Sequence, residues 1–314
     1  MHVAICVATF CRPEGLGRLL EALARLEVPD VPGLELAVIV VDNSADANAE
    51  PRVSRAAAAM PLPLHYLSEP RRGITYARNA ALERAGELGC DFVAFIDDDE
   101  VPANRWLSAL LAAQARSGAT AVVGDVRPLL PPRAPEWVAA GGFFETPVFP
   151  DGAEVRDACT GNVLIDLNRL RALGLGFDHR FALTGGEDTM LFRDLLNAGG
   201  RIVYAADAVV YETVPESRAN LGWLLRRWYR TGNVEAALYL RGRRRALWRR
   251  PVNLLRGLLR VTAGGGLFVA SLLVLGFGRK HRIVRPLYTF CRGCGILAST
   301  LGWNYREYRQ VHGT

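Results

Sequence analysis

The feature that most constrains the fold is a rhythm of short apolar runs, several ending on a carboxylate or hydroxyl, with helical patterns between them. Val3–Ala8 leads to Thr9, Leu36–Val41 ends at Asp42, His65–Leu67 is a short third run, and Phe92–Ile96 runs into Asp97. Between them, Leu16–Leu26 and Ile74–Leu88 have helical spacing, with Ile74, Ala77, Ala81, Ala85 and Leu88 near one face. Strands alternating with helices in this way predict an α/β domain with a mostly parallel sheet. Further strands are expected at Ala121–Val126, Asn162–Ile165 and Ile202–Ala205. No GxGxxG follows the first run, which argues against a plain dinucleotide-binding enzyme.

Half of the 314 residues are hydrophobic, which excludes disordered and collagen-like classes and leaves one large domain or two ordinary ones. The net charge of +6 conceals a partition. Residues 1–220 carry 20 basic and 30 acidic side chains; residues 221–314 carry 18 and 2. A basic, partly apolar C-terminal third on an acidic body points to an anionic membrane surface or anionic ligand rather than nucleic acid. Val3–Ala8 follows Met1 with no basic n-region or cleavage site, so no secretory leader is expected and the six cysteines are read as reduced. Cys291 and Cys294 have CxxC spacing, but no second pair completes a zinc site, and small apolar packing is the preferred reading.

Residues 128–153 interrupt the rhythm with six prolines and the aromatics Trp137, Phe143, Phe144 and Phe149, a segment that reads equally as connector or binding lid. Leu221, Leu224, Leu225 and Trp228 fall at i, i+3, i+4, i+7, predicting an amphipathic helix over 218–240 with Arg226, Arg227 and Arg230 on other faces. An Arg-rich stretch follows, then an uncharged run from Val261 to Gly278, then Arg279, Lys280, Arg282 and Arg285. Eighteen residues is the lower limit for a membrane span, and a second, weaker apolar stretch covers Gly293–Tyr305. Basic residues on both sides fit a re-entrant or interfacial hairpin better than a simple span, the competing reading being a buried helical hairpin. The chain is thus divided into 1–220 and a basic helical membrane-associating region, 221–314.

The segment Phe95-Ile-Asp-Asp-Asp-Glu100 carries the strongest chemical signal. Four consecutive acids beyond an apolar strand repel one another unless a cation or solvent compensates them, and ligands of open α/β sheets bind at that strand end. In an extended segment Asp97 and Asp99 point the same way, and such hard oxygen donors suit Mg²⁺ or Mn²⁺; the plainer alternative is a solvated acidic turn. Asp42, in Val40-Val-Asp-Asn-Ser44, is placed to accept from a base or ribose. Arg71-Arg72-Gly73 precedes a helix with Arg78 one turn in, an anion site or a solvated basic turn. In Thr184-Gly-Gly-Glu-Asp-Thr189 two glycines free the backbone and Glu187 and Asp188 open a helix, either as dipole partners or with one carboxylate as general base.

Taken together, the strand end Ala8-Thr9-Phe10, VVDNS (40–44), RRGITYARN (71–79), FIDDDE (95–100), TGN (160–162) and GGED (185–188) resemble the inverting family 2 glycosyltransferases of the GT-A fold over about 220 residues. Glu212–Asn233, read as one helix, also looks like the bacterial exopolysaccharide members, particularly the succinoglycan-type glucosyltransferases. The resemblance implies a Rossmann-like, mostly parallel mixed sheet. It also implies that Thr9, Arg12 and Asp42 contact the nucleotide and that Arg72, Gly73 and Arg78 line the nucleotide and diphosphate pocket. Asp97 and Asp99 would be the metal pair, with Asp99 the direct ligand and Asp98 beside the sugar or ribose. Gly161 and Asn162 would shape the donor-sugar pocket, and Asp188 would be the catalytic base with Glu187 beside it. Arg226, Arg227, Arg230 and Trp137 are assigned to the diphosphate or acceptor. Processive members carry QxxRW; here Leu224 stands where Gln falls before Arg227-Trp228, which implies single-sugar transfer.

The expectation is therefore a hexosyltransferase that uses a nucleotide-sugar donor, a UDP-sugar, with Mn²⁺ or Mg²⁺. Its acceptor would be a lipid-linked glycan at the cytoplasmic face of a bacterial inner membrane, and nucleic acid is not expected as a partner. A metal-dependent sugar nucleotidyltransferase and a non-catalytic membrane adaptor are the alternatives.

Overall fold

The computed structural model describes residues 1–241, 243–275 and 279–305, in two compact units. The first comprises Met1–Leu129 and Glu145–Thr213; the second joins Leu130–Phe144 to the chain from Val214 onward.

In the first unit the elements run β1 (His2–Thr9), α1 (Pro13–Leu23), β2 (Glu35–Asp42), α2 (Glu50–Ala57), β3 (Leu64–Ser68), α3 (Ile74–Glu87), β4 (Phe92–Ile96), β5 (Glu100–Pro102), α4 (Trp106–Ser117) and β6 (Ala121–Leu129). After α5 (Glu136–Gly141), which belongs to the second unit, come β7 (Asn162–Asp166), α6 (Leu167–Ala172), a 3-10 turn (His179–Phe181), α7 (Glu187–Asn197) and β8 (Ile202–Thr213). They form one eight-stranded mixed sheet of order β3-β2-β1-β4-β7-β6-β8-β5. The pairs β3–β2, β2–β1, β1–β4 and β6–β8 are parallel, while β7 is antiparallel to β4 and β6 and β5 is antiparallel to β8. All seven expected strands are present. β1 and β2 are near-continuous apolar runs because both faces are covered: Val3, Ile5 and Val7 pack with Leu16, Leu19, Leu20 and Trp106, while Ala4 and Cys6 pack with Ala77, Ala81 and Phe192.

Asn162, at the start of β7, is fully buried. Its Oδ1 accepts from Trp106 Nε1 (2.7 Å), and its Nδ2 donates to the carbonyls of Asp125 (2.9 Å) and Ala208 (2.7 Å). The side chain thereby knots α4, β6, β7 and β8 together, each polar atom satisfied inside the sheet.

The second unit contains α5, α8 (Leu221–Tyr239), α9 (Arg243–Leu275) and α10 (Lys280–Thr300). The helix expected over Glu212–Asn233 is shorter at its start: Glu212 and Thr213 end β8, residues 214–220 are a loop, and Asn220 caps α8 by accepting from the Trp223 N–H (3.0 Å). Val138, Phe144, Trp223, Leu224, Trp228 and Val284 form a separate apolar core. Glycines let α10 approach its neighbours closely: a Cβ on Gly295 would lie 2.0 Å from the Tyr229 carbonyl, and one on Gly293 2.8 Å from the Gly257 carbonyl. Cys291 and Cys294 are free thiols within α10. The uncharged run is helical to Leu275, and 276–278 lie outside the described residues.

Glu235 is the single acid among residues 221–305, and it takes Arg256 (2.9 Å), Arg260 (2.7 Å) and Arg292 (2.7 Å) at once, tying α8, α9 and α10. Burial pushes its carboxyl up, but Arg260 and Arg292 outweigh this and hold it below the usual glutamate value. Glu235→Ala leaves three cations facing one another and is expected to cost about 1–3 kcal/mol. Urea unfolding followed by tryptophan fluorescence checks this, and an unchanged midpoint would contradict it.

Candidate active site

Parallel pairing of β2, β1 and β4 brings their carboxyl ends to one sheet edge, with Thr9 opposite Asp42 in register and Asp97 just beyond β4. Asp97–Asp99 is a turn and not the extended segment expected from the sequence. The Glu100 N–H donates to the Asp97 carbonyl (3.1 Å), while Glu100 Oε2 accepts from the Asp97 N–H (2.9 Å). The three aspartates therefore meet different partners. Asp98, buried, accepts from Thr9 Oγ1 (2.7 Å) and Arg12 Nη1 (3.0 Å), and Asp99 accepts from the same Arg12 nitrogen (2.9 Å). Burial raises the Asp98 carboxyl to about 6 against the pull of Arg12. Burial, and then the Asp97 charge, push Glu100 well above the glutamate range.

Asp97 pairs with Arg78, and Arg78 also reaches the second acid cluster. Its Nη2 donates to Asp97 Oδ1 (3.2 Å), its Nη1 donates to Glu187 Oε1 (2.5 Å), and its guanidinium lies 5.7 Å from the Phe177 ring centroid. Arg78 and Glu187 are both buried. One side chain from α3 thus holds the end of β4 against the start of α7. Gly185 and Gly186, both in left-handed backbone (φ +77° and +89°), turn the chain into α7. Asp188, the next residue after Glu187, is half-buried, and its Oδ1 accepts the Thr189 N–H (2.6 Å). Cys159 lies within the field of this cluster: burial, then Asp188, Glu100 and Asp97, push its thiol up to about 12.

Loops behind this edge are fixed by buried polar side chains. Asp42 is fully buried, with Oδ1 accepting from Ser44 N–H (2.9 Å) and Oγ (2.6 Å), and Oδ2 accepting from Ala49 N–H (2.9 Å) and the Tyr66 hydroxyl (3.1 Å). Its carboxylate thus orders residues 44–49. Asn43 donates to the carbonyls of Glu69 and Arg71 (2.8 Å each) and accepts the Gly73 N–H (2.8 Å). Hydrogen bonds from Arg71 hold Glu69 below the usual glutamate value. Gly73 has φ +141°, and a Cβ there would lie 2.6 Å from Ala182 Cβ, so the loop before α3 closes on the segment leading to α7 only without a side chain. Arg72 is exposed, its guanidinium 5.4 Å from the Phe10 ring. Gly161 leaves room for Glu100: a Cβ would lie 2.5 Å from Oε1. Asn162 contributes to the sheet knot already described.

The structure thus gathers Thr9, Arg12, Asp98 and Asp99 in one group and Arg78, Asp97 and Glu187 in another, while Asp42 and Asn162 belong to the buried frame. In the second unit, Arg227 stacks over Trp223 (5.2 Å) and Phe144 (5.7 Å), Arg226 is exposed, Arg230 is partly exposed, and Trp137 packs on Phe143. Sequence reading assigned no role to Asn43, Glu69, Glu100 or Cys159. Asn43 was within reach because it directly follows an acid at a strand end, and Glu100 because it closes the run of four acids, whereas Cys159 carries no local signal.

A mixed sheet with β7 reversed in its middle and acidic residues at its carboxyl edge is the GT-A architecture of nucleotide-sugar transferases. Residues 4–166 match the model of "Glycosyl transferase family 2". The chain is 39% identical to the succinoglycan biosynthesis protein ExoM of Rhizobium meliloti (strain 1021) over 239 residues, 76% of this chain and 75% of that protein. It belongs to glycosyl transferase family 2. Among solved structures, it resembles the mannosyltransferase PcManGT from Pyrobaculum calidifontis in complex with GDP-Man and Mn²⁺ (TM-score 0.58, 21% identity, 92% of this chain and 85% of that one). It also resembles S. aureus TarS 1–349 in complex with UDP (TM-score 0.54, 17% identity, 98% and 93%). It spans 43% of the longer S. aureus TarS chain.

Gly73→Ala combines an unfavourable φ with a clash at Ala182 and is expected to destabilise the first unit by about 2–4 kcal/mol. Chemical denaturation monitored by circular dichroism reads this directly. A wild-type midpoint would mean that the 73–182 contact is not a constraint.

Proposed function

We propose that the protein transfers a single hexose, with inversion, from a UDP-sugar to a hydroxyl of a lipid-linked or polysaccharide acceptor in bacterial exopolysaccharide synthesis. The Arg78 bridge carries this reading, because it joins the acid cluster suited to a donor diphosphate to the helix start that bears Asp188. The relatives support the donor class: TarS structures hold UDP or UDP-GlcNAc, and PcManGT holds GDP-Man. ExoM, named for succinoglycan biosynthesis, supports the polymer.

Among the described residues no group of three or more His, Cys, Asp or Glu is gathered to hold a metal alone. The donor set still fits a hard divalent ion. Asp97 and Asp99 keep 41% and 17% of their side-chain surface exposed, and two carboxylates suffice where diphosphate oxygens and water complete the shell. Mn²⁺ or Mg²⁺ bound there would neutralise charge on the leaving nucleoside diphosphate. Arg78 and Arg12 keep these carboxylates oriented and limit their mutual repulsion. Glu187, held by Arg78, fixes the first turn of α7, so that Asp188 can take the proton from the acceptor hydroxyl as it attacks the anomeric carbon. Arg72 at its exposed loop is suited to the nucleotide phosphates. In the second unit, Arg226, Arg227, Arg230 and Trp137 are proposed to meet the acceptor and its diphosphate. The exposed apolar helix supports membrane association, and the proposed location is the cytoplasmic face of the inner membrane.

The test is nucleoside-diphosphate release from UDP-sugars, with Mn²⁺ present or chelated and membrane extract as acceptor source. Asp188→Asn is expected to lower turnover by about 10²–10⁴-fold while UDP still binds. Near-wild-type turnover would remove Asp188 as the base, and release of pyrophosphate would identify a nucleotidyltransferase instead.

A further inference from the structure

α9 is amphipathic with its polarity inverted for a water-soluble protein. The face turned to its neighbours carries Asn253, Gly257 and Gly264, fully or largely buried, together with Arg256 and Arg260, which pair with Glu235. The outward face carries Trp248 (85% exposed), Leu255, Leu259, Leu267, Leu273 (81%) and Val274 (80%). Only 11% of its most apolar window is buried, far too little for a core helix.

Two observations bear on how such a face meets lipid. First, α9 and α10 pack as an antiparallel hairpin: Gly257 faces Leu297 and Gly293, Gly264 faces Phe290, and Asn253 donates to Thr300 Oγ1 (2.8 Å). If α9 crossed the bilayer, α10 would be drawn in with Arg292, which lies mid-hairpin beside Gly293 and Gly257, at a cost in charge burial. Second, exposed cations stand at both ends of the hairpin: Arg241 and Arg250 at one, Arg279, Lys280, Arg282 and Arg285 at the other. A single span biases basic residues to one side, whereas a helix lying in the interface has both ends at headgroup level. The 33 residues of α9 extend about 50 Å, well over the ~30 Å hydrocarbon thickness, which is no constraint on a helix lying flat.

We infer that α9 is an in-plane anchor: its Trp248–Val274 face sinks into one leaflet of an anionic bilayer while the cations at both ends of the α9–α10 hairpin bind phosphate headgroups of that same leaflet. This deepens the membrane reading proposed above and does not depend on the transfer chemistry. The full-length protein is tested by flotation with vesicles of phosphatidylcholine, with and without phosphatidylglycerol. Binding is expected only with the anionic lipid and is expected to weaken at high salt. Leu273→Glu should lower partition by at least about tenfold, the loss of one buried leucine, with UDP binding retained as a check on folding. Single cysteines at Arg250→Cys and Lys280→Cys, one at each end of the hairpin and at headgroup level, in a chain with its native cysteines replaced, should both react with an impermeant maleimide from the same side of sealed membrane vesicles. Labelling from opposite sides would overturn the in-plane arrangement in favour of a span. Absence of vesicle binding, or self-association through this face in its place, would overturn the membrane surface altogether. UDP binding and nucleoside-diphosphate release onto a soluble acceptor report separately on the catalytic reading.

Discussion

The bridge from Arg78 to Asp97 and Glu187 is the interaction on which the rest of the catalytic unit depends. A chain that places four acids after one strand and two more at a helix start must supply counter-charge where those elements meet. Arg78 does so from a third element, α3, and from a buried position where Coulomb interactions are strong and misplacement is costly. Arg12 does the same for Asp98 and Asp99. The arginines divide Asp97, Asp98, Asp99 and Glu187 into two groups, each with its own cation, while Glu100 and Asp188 accept backbone N–H groups. The glycines around them follow from the same demand: Gly73 lets the α3 loop close on residue 182, and Gly161 makes room for the buried Glu100.

The second unit solves the opposite problem. It is rich in cations, and a lone acid, Glu235, gathers three of them where α8, α9 and α10 converge. Glycine contacts hold the helices at close range, so large apolar side chains are not needed between α9 and α10 and are turned outward instead. The uneven charge along the chain follows the same division. The acidic part belongs to the sheet unit, and the basic excess accompanies the helices.

Much of this was legible in the sequence because its signals are local. Buried parallel strands read as apolar runs, and the residue at which each run stops marks the sheet edge, which is why the sequence alone puts Thr9, Asp42 and Asp97 there. What could not be read was the direction each carboxylate takes. Asp42 and Asp97 look alike in sequence, each closing a strand, yet Asp42 turns inward to Ser44, Ala49 and Tyr66 while Asp97 meets Arg78. The difference lies in partners distant along the chain. The same holds for Asn162, whose role depends on Trp106 and Ala208, and for residues 97–99, where a turn stabilised by Glu100 replaced the extended segment.

A double-mutant cycle between Arg78 and Glu187 tests the central claim most directly. Unfolding free energies of Arg78→Met, Glu187→Gln and the double variant give the coupling of Arg78 to Glu187, the contact by which it reaches the second acid cluster. A coupling of about 2–3 kcal/mol is expected, with the double variant less destabilised than the sum of the singles. A coupling within about 0.5 kcal/mol of zero would mean that Arg78 does not hold the start of α7 and is not the element that joins the two clusters.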